Sequence, residues 1–130
     1  MIQEELLEVI RDSTDKGERL NDIADQFRGG RDVNELIALL DSAHAELASL
    51  GAWLLGELHF QIYDFDRFIS RLRKLVDHED PTVRFHAFGA LFPALNRGDA
   101  STHDLLARLR SDPNEGVRRR VEAAVARLVS

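Results

Sequence analysis

One apolar pattern recurs three times along the chain, and this recurrence constrains the fold more than any other feature of the sequence. Its copies lie 36 and then 34 residues apart, an offset typical of helical-hairpin solenoids. One hairpin cannot cover its own apolar face, so stacked neighbours must do so. The first-helix positions are Leu36, Leu39 and Leu40, then Leu72, Leu75 and Val76, then Leu106 and Leu109. The second-helix positions are Gly51, Leu54 and Leu55, then Ala87, Ala90 and Leu91, then Val121, Ala124 and Val125.

Capping residues indicate where the helices begin. Asp80-Pro81 and Asp112-Pro113 each place an acidic N-cap before a proline at the first helical position. Ser101, with an acid three residues later, predicts a further start. Alternating strand patterns are absent, so the sequence predicts an all-α fold. We predict a single domain over 1–130 with helices at 2–11, 16–28, 33–41, 45–58, 65–77, 81–95, 102–111 and 114–129.

The two later copies resemble HEAT repeats. In HEAT repeats a leucine-rich first helix is followed by an Asp-Pro turn, and a Val-Arg pair opens the second helix. Val83-Arg84 and Val117-Arg118 match that pair, whereas Leu47-Ala48 departs from it. The resemblance covers roughly residues 32–130. It implies a right-handed α-solenoid of about four degenerate HEAT-like helical hairpins, with terminal copies that diverge because one side must face solvent.

A narrower resemblance covers residues 27–58, which are similar to the opening of small HEAT-like immunity proteins of bacterial contact-dependent growth-inhibition and polymorphic toxin systems. It rests on Phe27-Arg28, Gly30-Arg31-Asp32, Leu39-Leu40-Asp41-Ser42, Gly51-Ala52-Trp53 and Gly56-Glu57-Leu58. It implies a protein that neutralises a cognate toxin by occluding its active surface. HEAT repeats host many functions. A generic HEAT scaffold or regulatory subunit, and a nucleic-acid-binding HEAT-like protein, therefore stay as alternatives.

Residues suited to catalysis or metal binding form no recognisable constellation. The chain has no cysteine, hence no thiolate nucleophile and no zinc-thiolate site. Its histidines, His44, His59, His78, His86 and His103, have no metal-ligand spacing, and no glycine-flanked serine or phosphate-binding glycine loop is present. We therefore expect a binding protein rather than an enzyme, without metal or cofactor. An acidic N-terminus and the lack of a long apolar run favour a cytoplasmic protein without a signal peptide or membrane span.

Charge is divided unevenly along the chain. Residues 1–66 carry 15 acidic against 5 basic side chains, a net charge of −10, whereas residues 67–130 carry 8 against 12, a net charge of +4. An acidic half favours a basic protein partner, such as a nuclease toxin domain, and disfavours nucleic acid. We expect a free monomer in which Glu46, Glu57, Asp64 and Asp66 steer that partner. Charge that only keeps a helical surface solvated is the alternative interpretation.

The basic and aromatic side chains of the last two copies are candidate binding residues. Arg118, Arg119 and Arg120 point in three directions on a helix, with Glu115 and Glu122 near enough to pair with them, so they predict no phosphate-binding stripe. Three phenylalanines of the sixth helix lie opposite its core face at about 100° per residue. We expect Phe88 to pack against a neighbouring repeat. Exposed Phe85 and Phe92, beside Trp53, would form the centre of a partner-binding surface.

Overall fold

The computed structural model describes residues 2–12, 14–58, 65–95 and 98–129. Within these ranges the chain forms eight α-helices, a short 3-10 turn at Phe92–Ala94 and no strand, which confirms the all-α prediction. None of these helices is long and apolar enough to cross a membrane. The helices are α1 (Ile2–Arg11), α2 (Lys16–Arg28), α3 (Glu35–Leu40), α4 (Ala45–Leu58), α5 (Asp66–Leu75), α6 (Pro81–Leu91), α7 (Ala100–Leu109) and α8 (Glu115–Val129).

Consecutive helices pair into four hairpins, and the hairpins stack into two layers. Helices α1, α3 and α5 contact one another in sequence order, and helices α2, α4, α6 and α8 form the second layer. Helix α4 packs against α1, α2, α3 and α6, so it lies in the interior of the second layer. Its crossing with α3 is close, because a Cβ on Gly51 would lie 2.7 Å from the Cβ of Leu39. The predicted solenoid of helical hairpins is therefore confirmed.

Side-chain caps mark the starts of α6, α7 and α8, with two corrections to the prediction. Asp80 caps α6 as expected, since its carboxylate accepts a hydrogen bond from the Thr82 amide at 2.8 Å. Asp99, not Ser101, caps α7. At the start of α8 the amide of Val117 donates to the side chain of Asn114 at 3.0 Å, so Asp112 does not cap that helix. The helix begins at Glu115, later than Asp112-Pro113 predicts, and the Asp112 carboxylate, which also accepts from the Asn114 amide at 2.8 Å, has a partner in another hairpin.

That partner is Arg84 of the preceding hairpin. The guanidinium of Arg84 donates from Nε and Nη2 to the two carboxylate oxygens of Asp112 at 2.8 and 3.0 Å. Both side chains are buried, at 12% and 5% exposure. Burial alone would raise the pKa of Asp112, but hydrogen bonds from Arg84 and the Asn114 amide outweigh it and lower the pKa. The pair therefore fixes the third hairpin against the fourth with a charged, two-point contact.

A second charged cluster joins the first two hairpins. Arg31, in the turn before α3, donates to Glu5 of α1 at 2.7 Å and to Glu35 of α3 at 2.9 Å. Hydrogen bonds from Arg31 lower the pKa of both carboxyl groups, and the two carboxylates raise the pKa of Arg31. Exposed pairs repeat the arrangement between later hairpins, Arg71 with Asp41 and Arg108 with Asp77. Ion pairs between successive hairpins thus accompany the apolar stacking.

Candidate functional site

Helix α4 presents one surface stripe to solvent. Glu46, Leu50, Trp53 and Glu57 follow one another at spacings of four, three and four residues, which places them on one helix face. The opposite faces of α4 are buried, including Leu47, Leu54 and Leu55. Trp53 and Leu50 are partly buried and pack against the core, while both glutamates are exposed. The structure therefore brings three of the predicted site residues, Glu46, Trp53 and Glu57, onto one surface.

The acidic residues of the predicted site differ in their surroundings. Glu57 accepts a hydrogen bond from Nη2 of Arg28 in α2 at 3.3 Å, and its side chain stays 44% exposed. Asp66 is exposed in the first turn of α5, which is a first helix, so it does not lie in the layer that carries Glu46 and Glu57. Asp64 lies outside the described residues. Of the three predicted acids that the structure describes, Glu46 and Glu57 therefore flank Trp53 and Asp66 does not.

The phenylalanines of α6 are less exposed than the sequence led us to expect. Phe88 is 1% exposed, which confirms its expected burial. Phe85 and Phe92, expected to be exposed, are partly buried and pack against the core. The Phe92 ring lies 5.7 Å from the Phe88 ring, and both line a groove shared with α8. The neighbouring second helix covers this side of α6, and for that reason the rings do not project freely into solvent.

Arg120 of α8 lies across α6. Its guanidinium carbon is 4.3 Å from the centroid of the Phe85 ring, and its Nη1 donates to the Phe85 carbonyl oxygen at 3.1 Å. A Cβ on Gly89 would overlap the guanidinium, so only glycine at this position lets the arginine lie flat on the helix. Burial lowers the pKa of Arg120. This cation–π contact covers one face of Phe85 and was not predicted from the sequence.

The groove between α6 and α8 has a volume of about 210 Å³. Phe88 of α6, with Phe92 and Pro93 of the 3-10 turn that follows it, forms one wall, and Ala123 and Ala124 of α8 form the other. Positive charge comes from Arg120 and Arg127, and none of the described residues that line the groove is acidic. Two sequence features pointed to it: Phe92, expected in a partner-binding surface, and the run of arginines in α8, which the sequence assigns to ion pairs with nearby glutamates.

That assignment holds for one arginine of the three. Arg119 pairs with Glu115 at 2.7 Å, as expected. Arg118 instead donates to the carbonyl oxygen of Asp112 at 2.6 Å. Glu122 pairs with Arg110 at 2.8 Å rather than with the run. The three side chains do point in three directions, and Arg120 alone turns toward the groove.

A second hollow, of about 310 Å³, lies near the N-terminal ends of α2, α4 and α6. Its charged lining is mixed, with Lys16, Glu46 and Asp80, and His86 forms part of the wall. Burial and the positive charge of Arg120 lower the pKa of His86. Within residues 2–12, 14–58, 65–95 and 98–129, no group of three or more His, Cys, Asp or Glu side chains is placed to hold a metal ion. The hollow therefore offers a surface of mixed charge.

Comparison with known proteins identifies the family. A sequence model of HEAT repeats matches residues 33–126, which is more than half of the chain. The match spans α3 to α8, including α4, α6 and the groove beside α8. No curated protein and no solved structure matches the chain. The matched residues, together with the stacked helical hairpins, lead to one conclusion: this chain belongs to the HEAT-repeat family.

Proposed function

We propose that this chain is a non-enzymatic protein-binding module that holds its partner against the exposed face of the second helices. HEAT repeats generally mediate contacts between proteins. Solenoids of this type bind through the extended surface that their stacked second helices form. The observation that carries the proposal is the stripe on α4, in which Trp53 and Leu50 lie between Glu46 and Glu57.

The chemistry of this stripe suits an interface. Tryptophan is a preferred anchor of protein interfaces because it buries a large area with few rotatable bonds. Trp53 packs against the core on one side, so little side-chain entropy remains to be lost when a partner covers it. Exposed glutamates at both ends would steer a basic partner and pair with it at the rim.

The finer proposal is that the partner is a bacterial toxin and that the chain is its immunity protein. Support comes from the resemblance of residues 27–58 to the opening of such proteins and from the net charge of −10 over residues 1–66. Nuclease toxins are basic because their substrate is polyanionic, so an acidic inhibitor surface would complement them. Inhibition would follow from occlusion of the toxin's active surface by the α4 stripe.

Ion pairs of the arginines favour a protein partner over nucleic acid. Phosphate binding needs cations that are available to phosphates. Arg84, Arg110 and Arg119 each already pair with a carboxylate of this chain. A generic HEAT scaffold with a protein partner is the alternative function. The product of the adjacent gene discriminates between an immunity protein and such a scaffold.

The test is co-expression with the product of the adjacent gene, followed by co-purification. Trp53 is the only tryptophan, so 5-fluorotryptophan gives a single ¹⁹F resonance that reports on this site in the complex. We expect that resonance to shift when the partner is added. Trp53→Ala should weaken binding by about 2 kcal/mol or more, mainly through faster dissociation. Ile69→Ala, a partly buried residue of α5, is the matched control and should leave affinity unchanged.

Charge reversal separates steering from solubility. Glu57→Lys should slow association at low salt and change dissociation less, whereas Asp104→Lys, an exposed acid of α7, should have a smaller effect. Equal association rates for both variants would mean that the acidic surface only keeps the protein soluble. An unshifted ¹⁹F resonance in a complex that does form would remove the α4 stripe from the interface.

A further inference from the structure

The groove between α6 and α8 has features that the α4 stripe lacks. Its walls are apolar, from Phe88 and Phe92 on one side and Ala123 on the other. Its charge is positive, whereas the α4 stripe is acidic. A partner that fits only the stripe leaves this groove unused, and a partner that spans both surfaces needs groups of opposite charge.

Arg120 is held in place by contacts that do not neutralise it. The Phe85 ring and the Phe85 carbonyl oxygen fix one face and one nitrogen of the guanidinium. Among the described residues, no carboxylate forms an ion pair with Arg120, and burial disfavours its charged form. A partly buried arginine without a counter-charge is stabilised by any carboxylate that reaches it. Its planar N–H groups can donate to the two oxygens of such a carboxylate.

We propose that the groove binds an acidic side chain of the protein partner, an aspartate or glutamate next to an aromatic or large aliphatic residue. The carboxylate pairs with Arg120, and the apolar neighbour packs between the Phe88–Phe92 wall and the α8 alanines. A volume of about 210 Å³ suits a side chain or two rather than a helix. This inference rests on the proposed protein-binding function and specifies the chemistry of one part of the partner.

The hydrogen-bond donors in the groove indicate whether the carboxylate belongs to a side chain or to a chain terminus of the partner. Terminal carboxylates of peptides are usually captured by several backbone amides that form a nest. Gly89 and its neighbours lie inside α6, where backbone amides are bonded within the helix. The carboxylate therefore meets a guanidinium rather than a nest, which fits a side-chain acid within a folded partner.

The test titrates the free protein with N-acetyl-phenylalanyl-glutamyl amide and follows ¹H–¹⁵N spectra. We expect concentration-dependent shifts of the Gly89 amide and the Arg120 Nε–H group below about 10 mM, which is the weak end of measurable binding. The uncharged glutaminyl analogue should bind about tenfold more weakly or worse, because the charged hydrogen bonds are lost. Equal binding of the two dipeptides would overturn the carboxylate assignment, and the absence of shifts would overturn the site.

Variants confine the effect to the groove. Arg120→Leu should weaken the dipeptide about tenfold, whereas Arg119→Leu, which removes an exposed arginine from the same helix, should not. Should Arg120→Leu melt early, Ala123→Glu serves instead, because it brings a competing carboxylate to the groove on an exposed position. Unchanged affinity in Ala123→Glu would contradict the proposal. These titrations need no partner, so their failure is distinct from the absence of a Trp53 signal in the complex.

Discussion

Replacing Asp112 with alanine removes the acceptor of the ion pair that joins the third and fourth hairpins. Arg84, only 12% exposed, would lose both of its charged hydrogen bonds, and its guanidinium would stay buried without a counter-charge. Breaking such a buried pair from one side costs about 3–5 kcal/mol. This is a large share of the roughly 5–15 kcal/mol that stabilises a domain of this size. Thermal unfolding should therefore shift down by about 10–20 °C.

Glu122→Ala is the matched control for this prediction. Its ion pair with Arg110 has the same 2.8 Å separation as the shortest contact of Arg84 with Asp112, but both side chains are more than half exposed. Exposed pairs contribute about 0.2–1 kcal/mol, so the melting temperature should change by only a few degrees. Calorimetry or circular dichroism on both variants measures the difference. Similar small losses in the two variants would refute the reasoning that burial, rather than contact distance, sets the value of these pairs.

Two further predictions concern stability. Phe88→Ala should lower the free energy of unfolding, measured with denaturant, by about 3–5 kcal/mol because it empties a buried site. Phe92→Ala should lower it clearly less, since part of the Phe92 ring already contacts solvent. Equal losses in the two variants would contradict the difference in burial. The pKa of Asp112 is lower in the folded chain than in the unfolded chain, so its contribution is present above the unfolded value of about 3.9 and is lost as pH falls through the folded value. The urea midpoint of Asp112→Ala should consequently fall less between about pH 6 and about pH 3 than that of the wild type, and parallel pH profiles would argue against a perturbed Asp112.

Helix positions could be predicted because the signals that set them are local. The range predicted for α4, 45–58, agrees with the structure, and the Asp80-Pro81 start of α6 is confirmed by its capping hydrogen bond. The end of α6 was predicted too late. Its α-helical part stops at Leu91 and continues as a 3-10 turn, since Pro93 cannot donate a hydrogen bond to the helix.

The candidate site was predictable only in part. The stripe that joins Glu46, Trp53 and Glu57 follows from helical spacing once α4 is known. The exposure of Phe85 and Phe92 does not follow from helical spacing, because it depends on which side of α6 is covered by α8. A helical wheel gives the direction in which a side chain leaves its own helix axis. It does not say how far away the neighbouring helix lies or how long that helix's side chains are.

The sequence by itself determined the repeat register, and with it which residues of each second helix occupy equivalent positions. It did so because every hairpin must bury the same apolar stripe against its neighbours. Only the tertiary structure decided the partners of the long polar side chains. Asp112 has the sequence context of an N-cap yet binds Arg84, 28 residues away, and Arg120 lies on Phe85, 35 residues away. Such side chains have several rotamers of similar energy, and the choice among them falls to whichever neighbouring helix offers a burial site, such as the space that Gly89 leaves open.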